Sequence, residues 1–122
     1  MIYKFKNVNP LGKRELDCVT RAISLALNKD YYDVKNDLCL VAQLFKCEKL
    51  CVCCYKYLLD YVYGLQRIEE VQGLTIYDFA HLYHEGTYIV RVKGHLSCVI
   101  DGYCYDTWDC TSEVIDIVWQ VK

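Results

Sequence analysis

Apolar residues recur at helical spacing through the first half of the chain and alternate with polar ones through the second. Cys18, Ala22, Leu25 and Ala26 fall on one face of a helix that Asp17 is placed to cap. Asp30 predicts a second N-cap, with Asp33 at the third helical position and Val34, Leu38, Val41 and Phe45 on the apolar side. A third helix is expected from about Leu50 to Tyr63, burying Tyr55, Leu58, Leu59 and Val62 and ending at Gly64 as a left-handed C-cap. Thr75, with Asp78 three residues on, opens a short fourth helix that Gly86 closes.

The period then changes. Tyr88 to Val92 is β-branched and aromatic and predicts a strand, after which Gly94 permits a tight reversal. His95 to Ile100 and Tyr103 to Trp108 flank Asp101-Gly102, a dipeptide suited to a two-residue type I′ turn. Val114 to Trp119 reads as a final strand and Leu65 to Val71 as a further one. The expected fold class is α+β, with N-terminal helices packed on a small antiparallel sheet. Pro10 is the only proline, and no linker, repeat or low-complexity stretch divides the chain, so residues 1–122 are expected to form a single domain.

The turn fixes a register for the hairpin. Ile100 pairs with Tyr103 and Val99 with Cys104, so Ser97 faces Asp106 and His95 faces Trp108. Side chains alternate, which puts His95, Ser97, Val99, Cys104, Asp106 and Trp108 on one face. Asp106 becomes a diagonal neighbour of His95, where a carboxylate can accept the second ring N–H and fix the tautomer. Asp101 is accounted for by the turn, and Asp109 falls on the opposite face.

Cys18 is the chemical counterpart of that pair. At the first helical position, unpaired backbone N–H groups stabilise a thiolate, and its own N–H can polarise a developing oxyanion. A second oxyanion donor is expected shortly before the nucleophile, where Asn9 and Asn7 are the candidates. Asn9-Pro10 is also a common turn opener, and the turn is the favoured reading of both residues. The plain alternative for Cys18 is a small buried residue on a helix face.

Composition narrows the function classes. A hydrophobic fraction of 54% over 122 residues supports one real core and excludes a disordered chain. The net charge is -2, and the only adjacent basic pair is Lys13-Arg14, so neither nucleic acid nor a membrane surface is an expected partner. Nine cysteines is an odd number, and Met1 to Asn7 lacks the apolar stretch of a secretory signal. The cysteines are therefore expected as thiols in a reduced, cytoplasmic protein. Cys47, Cys51, Cys53 and Cys54 include one C-x-x-C pair, but with no second pair packed thiols are favoured over zinc, and no metal or cofactor is expected. His81 and His84, near the end of the fourth helix, are expected to interact with its dipole.

At these residues the chain resembles a papain-like cysteine peptidase of minimal size. The Asp17-Cys18 helix start and the Gly94-His95 strand with its following Asp are similar to the double-glycine, bacteriocin-processing type. Two segments, Asn9-Pro10 through Ser24 and Val99 through Asp109, resemble a group of small phage and prophage proteins of that kind. The resemblance implies a triad carried by Cys18, His95 and Asp106, with no metal or organic cofactor. It covers about a quarter of the chain.

Two functions of different class follow. One is a thiol hydrolase acting on a peptide, isopeptide or related amide bond in a peptide or protein substrate. The other is a non-catalytic phage-encoded protein on the same fold that binds a host protein, which the lack of a glutamine before Cys18 favours. A third, a metal-dependent binding module, would rest on Cys47 to Cys54.

Overall fold

The computed structural model describes residues 2–12, 17–47 and 51–122. Along them run β1 (Tyr3–Phe5), α1 (Cys18–Leu27), α2 (Tyr31–Phe45), α3 (Val52–Tyr57), β2 (Gln66–Ile68), α4 (Ile76–Leu82), β3 (Thr87–Val92), β4 (His95–Ile100), β5 (Tyr103–Asp106) and β6 (Ile115–Gln120). The class is α+β. The strands form one sheet in the order β1-β5-β4-β3-β6-β2, antiparallel except for the β1–β5 pair. The Lys13-Arg14 pair and the expected helix start at Leu50 lie outside the described residues.

Both faces of the sheet are covered. Ile89, Leu96, Cys98 and Trp119 share a core with α1, α2 and α3. Val90, Val92, Val99, Cys104 and Val118 share another with Val71 and with Ile76, Phe79 and Ala80 of α4. Because β3 is buried on both sides, it reads as a nearly continuous apolar run rather than an alternating one.

Local signals hold at most boundaries. The Asp30 carboxylate accepts the Tyr32 and Asp33 N–H groups at the start of α2. The Thr75 hydroxyl accepts the Asp78 N–H at the start of α4, 3.1 Å away. Asp101 and Gly102 are both left-handed, with φ of 49° and 81°, as a type I′ turn requires. The pairing of Val99 with Cys104 and Ile100 with Tyr103 is the expected one.

Four expectations need correction. Phe45 does not join the core: it ends α2 and lies 47% exposed, edge-on to Tyr57. Val62 is exposed as well, because residues Leu58–Val62 form a π-helical turn after α3. The extra residue in that turn shifts the inward phase from Val62 to Tyr63, which packs against the core. Helix α4 ends at Leu82, and Gly86 belongs to the entry of β3, its N–H donated to Asp101 Oδ1 at 3.0 Å. A Cβ at Gly86 would lie 2.5 Å from the Lys122 carbonyl oxygen, so this close approach requires glycine. Strand β5 stops at Asp106 rather than Trp108, because the Asp106 carboxylate turns back onto the Thr107 N–H. The three-residue β1, which pairs Tyr3 to Phe5 with Cys104 to Asp106, was not expected from the pattern.

No helix among the described residues is long and apolar enough to cross a membrane.

Candidate active site

Helix α1 packs against β4. Cys18 is the first residue of the helix and His95 the first residue of the strand. That single contact brings the two side chains to one cleft, where the His95 ring and the Leu96 backbone N–H act on the Cys18 sulfur. Burial alone would push the thiol up, but the imidazole and the amide outweigh it. The net effect holds Cys18 below the ordinary thiol range.

Asp106 completes the arrangement where the hairpin register puts it. His95 Nε2 lies 2.6 Å from Asp106 Oδ2, which leaves Nδ1 for Cys18. The same oxygen accepts the Ser97 hydroxyl at 2.5 Å, and Cys110 Sγ lies 3.5 Å from it. The other oxygen accepts the Thr107 N–H at 2.7 Å and Arg21 Nη1 at 3.2 Å. Asp106 is only 3% exposed. Burial works against its charge, but the His95 and Ser97 hydrogen bonds more than offset it and hold the carboxyl below its usual range. His95 responds in the opposite direction. Burial disfavours its charge, yet Asp106, Cys110 and Cys18 together push it up to about 11. The lowered thiol and the raised imidazole both move toward a thiolate–imidazolium pair.

Arg21 has a part in this site that the sequence pattern does not announce. It is buried, and it spans from Asp17 Oδ1 at 2.6 Å to Asp106 Oδ1 at 3.2 Å. It thus ties the first turn of α1 to the end of β5. The available signal was an Asp–Arg pair at i,i+4 on an otherwise apolar helix face.

Asp17 precedes α1 but does not cap it with its side chain. Its carboxylate accepts Arg21 Nε, the Tyr31 hydroxyl at 2.6 Å and Asn9 Nδ2 at 3.0 Å. This corrects the expectation for Asn9. Its amide nitrogen is turned onto Asp17 and its carbonyl oxygen accepts the Leu11 N–H at 2.9 Å, the turn-opening geometry of Asn9-Pro10. The residue is placed to hold Asp17, not to face a substrate carbonyl.

Cys18 and His95 open onto a cleft of about 430 Å³. Its walls include Val52 and Tyr55 of α3, Arg91 of β3, and Thr107 and Trp108 after β5. The Trp108 ring sits 5.0 Å from the His95 ring and shields one side of it. Arg91 is fixed by Asp116 and by the Tyr55 hydroxyl, 2.7 Å from its Nε.

His95, Asp106 and Cys110 place three ligand-type atoms within 4.8 Å of one another. Asp106 is already fully engaged there by protein donors, so that group is occupied by its own hydrogen bonds. His81 Nδ1 meets the Tyr77 carbonyl, within its own helix and away from the cleft.

No family model matches the chain, and no curated protein or solved structure is significantly similar to it.

Proposed function

We propose that the chain is a thiol hydrolase of the papain-like cysteine peptidase kind, acting on a peptide, isopeptide or related amide bond in a reduced, cytoplasmic setting. The observation that carries this reading is an imidazole hydrogen-bonded to a buried carboxylate and opening, beside a thiol, onto one cleft. The resemblance of the Asn9–Ser24 and Val99–Asp109 segments to small phage and prophage proteins points to the same residues.

The chemistry follows from the charges. The Cys18 thiolate attacks the carbonyl carbon, and the Cys18 backbone N–H at the start of α1 faces the oxygen that becomes negative. Protonated His95 gives its Nδ1 proton to the departing amine as the thioester forms. Neutral His95 then takes a proton from water, which attacks the thioester and releases the acid and the thiolate. Asp106 holds the ring in place and stabilises its cationic form throughout. The cleft is of a size that suits a flexible peptide segment rather than a folded surface.

The test is a panel of small peptidyl vinyl sulfones. Cys18 is expected to be labelled at neutral pH in preference to the other eight cysteines, and the Asp106→Asn chain to label far more slowly. Labelling distributed over surface thiols with Cys18 unmodified would reject hydrolysis and leave the host-binding reading.

A further inference from the structure

We propose that Cys47, Cys51, Cys53 and Cys54 hold one zinc ion where α2 meets α3. This goes beyond the hydrolase reading and does not depend on it.

The four sulfurs come from two elements. Cys47 lies just past the left-handed end of α2 at Lys46, and its N–H is donated to the Ala42 carbonyl. Cys51 precedes α3, and its carbonyl accepts the Cys54 and Tyr55 N–H groups. Cys53 and Cys54 then fall in the first turn of that helix. Cys47 Sγ lies 2.6 Å from Cys54 Sγ and 3.2 Å from Cys53 Sγ, and Cys51 Sγ lies 3.1 Å from Cys53 Sγ. The Cys47, Cys51 and Cys53 sulfurs all lie within 4.8 Å of one another.

Three soft sulfur donors, Cys47, Cys51 and Cys53, converge on one point, and Cys54 beside Cys47 is a fourth within reach, the coordination number and ligand preference of structural zinc. A tetrahedron with zinc–sulfur bonds of about 2.3 Å has sulfurs about 3.8 Å apart. The Cys47, Cys51 and Cys53 sulfurs need only spread slightly to admit the ion, and the Cys54 sulfur must swing from Cys47 toward it. Without a cation, four thiols in this space are poor hydrogen-bond partners for one another. With it, each becomes a thiolate ligand, and the crowding becomes attraction. The two halves of the site are separated in sequence, so an ion here would pin α3 to the end of α2. The Val52 and Tyr55 wall of the cleft is carried on α3. The ion would therefore be structural, holding one wall of the cleft from behind.

The test uses the full chain, purified under reductant and incubated with zinc. Metal analysis is expected to give one zinc per chain. Cobalt in its place should give intense sulfur-to-metal charge-transfer bands with the strong visible absorption of a tetrahedral site. Cys53 is exposed and Cys51 half-buried, so a Cys51→Ser, Cys53→Ser chain is expected to fold, as circular dichroism would show, and to lose stoichiometric metal. Cys39→Ser and His95→Ala chains should keep it. Zinc well below one per chain after loading would overturn the proposal. So would zinc retained by the double variant, zinc lost with His95, or a Cys47–Cys54 disulfide in protein kept under reductant.

Discussion

Cys18 and Cys47 carry the same thiol in opposite surroundings. Cys18 has an imidazole and a backbone N–H beside it and is held below the ordinary thiol range, despite burial. Cys47 has Cys54 beside it and is pushed above that range, while Cys54 itself is raised by burial and by Cys53. A thiol gains nucleophilic chemistry from a neighbouring cation or donor and loses it among its own kind. Cys110 extends the second half of that rule, raised by the Cys104 thiol and then by burial, and at Cys98 burial does the same. The cysteine count by itself therefore says little about function, and the neighbours of each sulfur say most of it.

The largest expected effect comes from removing the neighbour that sets Cys18 apart. On the proposed mechanism, His95→Ala lowers hydrolysis by about 10²–10⁴-fold, the usual worth of a positioned proton carrier. A steady-state assay with any peptide found to be cleaved checks this. A residual rate near wild type would show that the difference between the two cysteines has no catalytic consequence.

Next in size is the buried bridge beneath the pair. Arg21→Met leaves Asp17 and Asp106 without their shared cation, both of them buried. Removing one partner of a buried ion pair costs about 3–5 kcal/mol, which urea unfolding resolves easily. An unchanged midpoint would mean that Arg21 does not hold the Asp106 end of the site to α1.

The pH dependence of stability sharpens the comparison further. Cys18 is lowered from an ordinary value of 9.0 and His95 is raised from 6.5 to about 11. The raised His95 contributes stability that is fully present below 6.5 and is lost as pH rises toward about 11. The lowered Cys18 contributes stability that is present above 9.0 and is lost as pH falls through its lower folded value. Asp17 and Asp106 add stability that is present above the ordinary carboxyl range and is lost as pH falls through their lower folded values. Chemical denaturation across pH should show a fall in stability from pH 9.0 toward about 11 that His95→Ala lacks. Identical profiles would remove the electrostatic basis of the comparison.

The smallest effect is a control. Asp30→Ala removes the cap of α2, far from Cys18 in role, and should cost about 1 kcal/mol while leaving Cys18 reactivity unchanged. A change in that reactivity would mean that global packing, not the local imidazole, sets it.

Much of this was legible in the chain because the deciding signals are local. Asp101-Gly102 fixes its own turn, the turn fixes the register, and the register puts Asp106 beside His95 with no long-range information needed. The meeting of Cys18 with His95 is long-range, and only the layout of helices and sheet could suggest it. Asn9 carries two readings because an amide before a nucleophile and an amide opening a turn look alike in sequence, and the favoured turn is what the Leu11 and Asp17 contacts show. Arg21 was missed because its partner Asp106 lies far along the chain. The π-helical turn at Leu58–Val62 has no compositional mark, so a regular 3.6-residue period mispredicted Val62. Strand β1 is three residues long and draws its hydrogen bonds from β5, not from its own pattern.

The central claim is that His95 holds the Cys18 thiol below the ordinary range, and site-resolved alkylation against pH tests it most directly. Wild-type and His95→Ala chains are treated with iodoacetamide from acid to alkaline pH, and each cysteine is followed by mass spectrometry beside a free cysteine derivative. The account predicts that Cys18 is modified well below the pH at which the free thiol reacts, and that this lead vanishes in His95→Ala. A Cys18 that follows the free thiol in both chains contradicts it.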